Sequence, residues 1–223
     1  MKKAKLFEVI SILALVAMVV LAYYFNGVLP DQVISHWNAQ GQADDYSSKT
    51  FFVYFMPLLS IGVYLLMKYL PKVDPKKANY IKFDTAYNFL RLYLVLFFLV
   101  IFYVSGMMNL DFGKDWNMGQ IMPVVIAILF VCIGLIMPQI KQNWFAGIKT
   151  PWTLSDNENW EKTHRFGGKM FILGGLVFLS MAFLPSNYFI VVFVVAIAII
   201  LSPILYSYFI FRNSQKLPPE EQK

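Results

Sequence analysis

The side chains that could carry out chemistry are few: two histidines, one cysteine and thirteen carboxylates in 223 residues. His36 shares one segment with Asp31, Asp44 and Asp45, and such nitrogen and oxygen ligands could in principle hold a metal ion. One histidine with scattered carboxylates is a weak ligand set, however. A surface helix and turn, with Trp37 at the membrane interface, explains the same residues. We therefore predict no metal site.

Enzyme chemistry is not indicated elsewhere. The chain contains no HExxH, GxSxG or phosphate-loop motif. His164 lies in a different segment from His36, and the single thiol, Cys132, lies inside an apolar run where it should be unreactive. We predict that the chain is not an enzyme and binds no cofactor.

The composition indicates that these residues are positioned by helices in lipid. Hydrophobic residues make up 58% of the chain and charged residues 14%, whereas soluble domains are about half apolar and a quarter charged. Five runs carry no formal charge: 9–30, 50–67, 92–110, 116–140 and 170–211. The first four each suit one helical crossing of about 20 residues. The fifth is twice that length and must fold back near Pro185, Ser186 and Asn187.

The sequence thus predicts an all-α integral membrane protein with six transmembrane helices, near 6–26, 51–70, 87–109, 119–140, 168–184 and 188–211. Basic residues then divide unevenly, because segments on one side carry 17 and those on the other carry 2. Cytoplasmic loops are enriched in Lys and Arg. We therefore expect the N- and C-termini to be cytoplasmic. The basic patch in the second loop is expected to contact anionic lipid rather than nucleic acid.

Ionisable residues occur only at or beyond the ends of the predicted spans, at Glu8, Asp84 and Arg91. We expect Arg91 to extend its side chain to the membrane interface. Pumps and proton-coupled carriers usually place ionisable residues at mid-membrane. The charge-free span cores therefore disfavour transport of an ion or proton.

The first outer loop contains signals for a helix and a turn. Pro30 suits the first position of a short helix, and residues 38–41 suit a turn. The inner loop, residues 141–169, holds three of the five tryptophans. Ser155 and Glu158 have capping-box spacing, which predicts a helix beginning at Asp156.

Further along this inner helix, Trp160 and His164 are four residues apart and should share a face. Glu161 and Arg165 have the same spacing and could pair. Gly167 and Gly168 are expected to break or thin the helix before the fifth span. Two interpretations stay open: a short amphipathic helix on the inner membrane surface, or a folded loop that presents a docking face.

Two segments resemble a known family. Residues 143–154 and 160–169 of the inner loop are similar to the SdpI/YfhL family, and residues 29–44 resemble a short module of unknown function that often precedes it. Lys149 stands where the family often has Arg, which keeps the charge but loses bidentate geometry. Together with their predicted helices, the two similar segments cover nearly the whole chain. They divide the chain into an N-terminal helical pair, 1–70, and a four-helix region, 71–223.

The resemblance implies a multi-pass protein of the bacterial cell membrane that protects its producer from a secreted peptide toxin. It also implies a toxin-bound state that draws a cytoplasmic repressor to the membrane. The candidate residues are those of the two similar segments. The outer, ligand-side residues are Pro30, His36, Trp37, Asn38, Gly41 and Asp44. The inner residues, for a partner or for signalling, are Asn143, Trp144, Gly147, Lys149, Thr150, Pro151, Trp152, Trp160, His164, Arg165 and Gly168.

Two functions follow as hypotheses. In the first, a toxin binds outside and shifts a two-state arrangement of helices, and an inner surface with Trp152, Trp160, His164 and Arg165 captures the repressor. In the second, the chain transports or exports a small amphiphile. Six spans with several prolines favour the second hypothesis, and the charge-free span cores weaken it.

Overall fold

The computed structural model describes residues 2–215. This part of the chain forms seven α-helices: α1 (Lys2–Val28), α2 (Lys49–Val73), α3 (Asp84–Met107), α4 (Met118–Ile136), α5 (Pro151–Ser155), α6 (Asn157–Ser180) and α7 (Phe189–Ser214). Between α1 and α2, strands β1 (Gln32–Trp37) and β2 (Ala43–Ser48) form an antiparallel hairpin. The basic residues Lys216 and Lys223 of the C-terminal tail lie outside the described residues.

Five helical segments in the described part are long and apolar enough to cross a membrane: Lys3–Val28, Lys49–Val73, Lys77–Met107, Met118–Gln139 and Ser186–Ser214. The fifth predicted crossing, at 168–184, is not among these five segments and corresponds to the second half of α6. This helix packs between α4 and α7, and its first half is polar. The chain reverses between α6 and α7 around Pro185, as predicted. The six-span count and the cytoplasmic termini stay predictions.

The long helices pack as two units. Helices α1, α2 and α3 form the N-terminal unit, and α4, α6 and α7 form the C-terminal unit. In the first, Phe25, Phe52 and Phe102 are buried together, with the Phe102 ring centroid 5.3 Å from each of the other two. By packing, α3 thus lies with α1 and α2. The predicted domain boundary at residue 70 stays a prediction.

The C-terminal unit is held by close glycine contacts. A Cβ on Gly168 would lie 2.7 Å from the carbonyl oxygen of Gly134 in α4, and one on Gly175 would lie 2.9 Å from that of Ala127. Small residues let helix backbones approach closely where lipid supplies no hydrophobic drive for helix association. The prediction that Gly167 and Gly168 break or thin the helix before the fifth span is wrong: α6 continues through both, and both face neighbouring helices.

A cluster of charged groups joins the helices of the N-terminal unit. The Glu8 carboxylate of α1 accepts hydrogen bonds from the Tyr64 hydroxyl at 2.6 Å, from Lys68 Nζ at 2.8 Å and from the Arg91 guanidinium. Arg91 also donates to Asn88 Oδ1 at 2.7 Å, and only 7% of its side chain is exposed. The sequence predicts that the Arg91 side chain extends outward to the membrane interface. In the structure it turns inward to α1 instead. A buried charge lies inside the helix packing.

The outer loop forms a hairpin, and the prediction of a short helix after Pro30 is wrong. β-Branched and aromatic residues in β1 favour an extended strand, and Val33 is fully buried. The side chain of Asn109, just after α3, holds β1: its Oδ1 accepts from the Ile34 amide at 2.7 Å, and its Nδ2 donates to the Ile34 carbonyl at 3.2 Å. The predicted turn at residues 38–41 is confirmed.

Candidate functional site

The outer hairpin turn is fixed by two of the predicted outer residues. Asn38 Oδ1 accepts from the amides of Gln40 and Gln42 at 2.9 and 3.0 Å. Gly41 has φ +76°, in the left-handed region that favours glycine. A Cβ there would lie 2.6 Å from the amide nitrogen of Gly119. The turn therefore rests directly on the beginning of α4.

Beneath this turn lies a cavity of about 460 Å³ between the two helical units. It is lined by the hairpin, the outer ends of α3, α4 and α7, and the last turns of α6. Its wall is mostly apolar, with residues such as Ile101, Met122, Phe178 and Phe193. Small-molecule sites have about this size and this mixture of apolar wall and few polar groups.

The polar rim of the cavity comes from the hairpin. His36 and Trp37 both line it, together with Asn38. The Nδ1 atom of His36 lies 2.6 Å from Oδ1 of Asp44, across the hairpin. Among residues 2–215, no three His, Cys, Asp or Glu side chains are placed to hold a metal ion. The structure thus brings four of the six predicted outer residues to the cavity or its rim, while Pro30 precedes the hairpin and Gly41 supports its turn.

The inner loop is folded around buried polar groups. Asn143 is fully buried, and its Oδ1 accepts from the amides of Phe145 and Ala146 at 2.8 and 2.7 Å. Its Nδ2 donates to the carbonyls of Lys141 and Ala146, both at 2.9 Å. One side chain therefore satisfies four backbone groups of the loop, so that Asn143 shapes the loop rather than contacting a partner.

Trp160 and His164 share a face, as predicted, but that face points inward. Each is 1% exposed, and their rings stack with centroids 4.0 Å apart. Trp160 Nε1 donates to the Ile140 carbonyl at 2.8 Å. Because neither ring lies on the protein surface, Trp160 and His164 do not contribute to the docking face that the sequence predicted.

His164 bridges the loop and α6 as a neutral ring. Nδ1 donates to the Trp160 carbonyl at 2.8 Å, since a carbonyl can only accept, and Nε2 accepts from the Ile148 amide at 3.0 Å. Burial lowers the pKa of His164 to about 4, against the opposing effect of the Trp160 carbonyl. Gly147 has φ +115°, and a Cβ there would overlap Nε2 of His164.

The helix starts of the inner loop differ in detail from the prediction. Asp156, not Ser155, caps α6, accepting from the amides of Glu158 and Asn159 at 3.0 and 2.9 Å. A capping box does occur, but at α5, between Thr150 and Thr153. Pro151 occupies the first position of α5, directly after the cap residue Thr150, where proline is favourable.

The remaining inner residues divide into a packed and an exposed group. Thr150 is buried, with Oγ1 3.0 Å from Ser207 Oγ in α7, and Trp152 packs on Tyr208 with ring centroids 5.1 Å apart. Gly168 is buried against α4. The exposed group consists of Trp144, Lys149, Pro151 and Arg165. Glu161 pairs with Lys141 at 2.8 Å rather than with Arg165.

Two polar residues that position the inner loop were missed by sequence reasoning. Asp74, at the end of α2, is 2% exposed and accepts from the Trp144 amide and the Tyr80 hydroxyl, both at 2.9 Å. Gln142 donates to the carbonyls of Thr153 and Leu154 at 2.7 and 2.9 Å. Single polar residues after a span carry no sequence signal for such contacts. Asp74 joins the inner loop to the N-terminal unit, and Gln142 joins the first residues of the loop to α5.

Two regions of the chain are similar to known protein families. Residues 139–207 match the model of the SdpI/YfhL protein family. Residues 12–61 match a domain of unknown function, DUF1648. This N-terminal match contains β1 and β2, and the SdpI/YfhL region contains the inner loop, α6 and most of α7.

A curated relative is the immunity protein SdpI of Bacillus subtilis (strain 168), which is 25% identical over 201 residues, 90% of this chain and 91% of the relative. No solved structure matches the chain. With its SdpI/YfhL region and its apolar helices, the chain is a multi-pass protein of the bacterial membrane.

Proposed function

We propose that this chain is a membrane immunity protein that binds a secreted peptide toxin in the outer cavity and so protects the cell that makes the toxin. The observation that carries the proposal is the place of the cavity. The hairpin of the DUF1648 match and the helices of the SdpI/YfhL region both line it. The name of the Bacillus subtilis relative supports the immunity function.

The proposal includes a topology. Six helical crossings with both termini in the cytoplasm place the hairpin and the cavity outside, where a secreted peptide arrives. The division of basic residues between the two sides supports this orientation. A ligand between the N-terminal and C-terminal units would favour one arrangement of the two units over another.

Recruitment of a cytoplasmic repressor would then use the exposed inner residues. Trp144 is 48% exposed, and Lys149 and Arg165 are exposed on the same inner loop. Asp74 holds the Trp144 amide and lies at the end of α2. A shift between the two units would therefore move Trp144 relative to the rest of the loop. Trp160 and His164 would act only by keeping the loop folded.

Survival in a toxin-sensitive bacterium tests the immunity proposal. Cells that express the chain should survive a graded dose of a secreted peptide toxin that kills the parent strain. Met122→Trp fills the cavity and should abolish protection. The matched control is Ile128→Trp, which places the same ring on the exposed face of the same helix and should protect normally.

Equal amounts of each variant in the membrane must be verified by quantitative immunoblotting. Lack of protection by the unmodified chain would contradict the immunity proposal. Full protection by Met122→Trp would contradict the assignment of the cavity as the toxin site.

Export of a small amphiphile is the second candidate function. The observation that favours it is the cluster of Glu8, Lys68 and Arg91 inside three candidate spans, where the sequence predicts no buried charge. The export hypothesis predicts substrate flux into vesicles that contain the protein, and this flux should stop when the proton gradient is collapsed.

A further inference from the structure

The loop segments around the outer cavity carry an excess of acidic residues, in contrast to the chain as a whole. The outer segments at residues 29–49 and 108–117 contain five aspartates, Asp31, Asp44, Asp45, Asp111 and Asp115, against two lysines. The chain as a whole has a net charge of +6. A local excess of negative charge at the mouth of an apolar cavity attracts cations and repels anions.

The acidic groups nearest the cavity are also accessible. Asp44 is exposed and contacts His36, which itself lines the cavity. Asp45 is exposed on the adjacent position of β2. A cation that reaches the rim can thus pair with Asp44 or Asp45 while an attached apolar group enters the cavity between Met122 and Phe193.

We propose that the ligand of this cavity is a cationic amphipathic peptide, which places an aromatic or branched apolar side chain in the cavity and a neighbouring basic group on Asp44 and Asp45. This inference rests on the proposed function and specifies the chemistry of its ligand. Charge complementarity selects a peptide over the anionic lipids of a bacterial membrane, because the same rim repels an anionic headgroup.

Binding of matched synthetic peptides to the purified full-length protein in nanodiscs tests this proposal. One short amphipathic peptide carries tryptophan and lysines, and its counterpart carries glutamate in place of every lysine. We expect the lysine peptide to bind about three- to tenfold more tightly at low salt, since exposed ion pairs contribute modestly. High salt should largely remove the difference.

Variants separate the charged rim from the apolar cavity. Asp44→Asn with Asp45→Asn should weaken only the lysine peptide, whereas Met122→Trp should weaken both peptides. The control Glu158→Gln removes one negative charge from an exposed carboxylate at the start of α6, outside the rim, and should change neither affinity.

Equal affinities for the two peptides, independent of salt, would overturn the inference and indicate an apolar occupant such as a lipid tail. That result would leave the immunity proposal standing if the unmodified chain still protected cells. Conversely, selective binding of the lysine peptide by a chain that gives no protection would support the ligand chemistry and contradict the immunity function.

Discussion

The N-terminal unit and the C-terminal unit both bury polar contacts between their helices, but they use different groups. In the described residues, α1, α2 and α3 meet at the charged groups of Glu8, Lys68 and Arg91. Helices α4, α6 and α7 meet at glycines and at neutral hydrogen bonds, such as that from Asn159 Nδ2 to the Ser207 carbonyl at 2.9 Å.

This difference shows two solutions to one physical problem. Lipid tails are as apolar as the helices, so burial of apolar side chains does little to hold helices together, and close packing or polar contacts must do so. Ion pairs hold helices together when both partners are present. Loss of one partner leaves an uncompensated buried charge. Loss of a glycine contact or of a neutral hydrogen bond should lower the free energy of unfolding by a smaller amount.

Removal of one charge from the N-terminal cluster should therefore give the largest effect. Glu8→Leu leaves the buried Arg91 without its carboxylate, and breaking a buried ion pair typically destabilises by about 3–5 kcal/mol. We expect a loss of this size in the free energy of unfolding, measured by circular dichroism in detergent micelles.

The double variant Glu8→Leu with Arg91→Met provides the control, because it removes both charges instead of stranding one. Apolar replacement of a complete buried pair is often close to neutral, so the double variant should recover most of the lost stability. A single variant as stable as the unmodified chain would show that the cluster is not what holds α1 to α3.

Sequence patterns predicted the helices better than their contacts. Charge-free runs located the apolar helices because hydropathy is a local property of the chain. The same runs placed Arg91 at a span end, since the run begins at residue 92. No local pattern indicates that Glu8, 83 positions away, lies against it.

The hairpin and the inner loop show the same limit. The register shifts around His36 interrupt the in-and-out alternation of β1, so its sequence lacks a clear strand pattern and Pro30 predicts a helix start instead. In the inner loop, helical spacing correctly placed Trp160 and His164 on one face. The direction in which that face points depends on hydrogen bonds to Ile140, just before the inner loop, and to Ile148 within it. The sequence alone therefore does not predict that the rings of Trp160 and His164 are buried.

The buried His164 makes the stability of the C-terminal unit depend on pH, an effect of intermediate size. Its pKa is about 4 in the folded protein and near 6.5 when exposed. The unfolded chain therefore binds the proton first, and stability falls as pH decreases from 6.5 to 4. A shift of this size corresponds to about 3 kcal/mol. Above pH 6.5 this contribution is constant.

The variant His164→Asn isolates this contribution, because the other titrating groups are the same in both proteins. The difference between the two unfolding free energies should shrink by about 3 kcal/mol as pH falls from 6.5 to 4. A constant difference over this range would contradict the neutral, buried state of the ring.

The smallest expected effect concerns the glycine contact of the C-terminal unit, and it is the sharpest test of the comparison. Gly168→Ala adds one methyl group that would lie 2.7 Å from the carbonyl oxygen of Gly134 and 3.1 Å from Pro138. Backbone cannot rotate away as a side chain does, so α4 and α6 must separate. Such overpacking typically destabilises by about 1–3 kcal/mol.

Gly62→Ala is the matched control in the N-terminal unit, because a Cβ at Gly62 would have no neighbour within 4 Å. Alanine favours a helix over glycine by about 1 kcal/mol, so this variant should be slightly more stable than the unmodified chain. The two substitutions are chemically identical and should change the unfolding free energy with opposite sign. If both stabilised the protein equally, close backbone approach would not be what holds α6 to α4, and the neutral hydrogen bonds of Asn159 and Thr150 would have to hold the unit together.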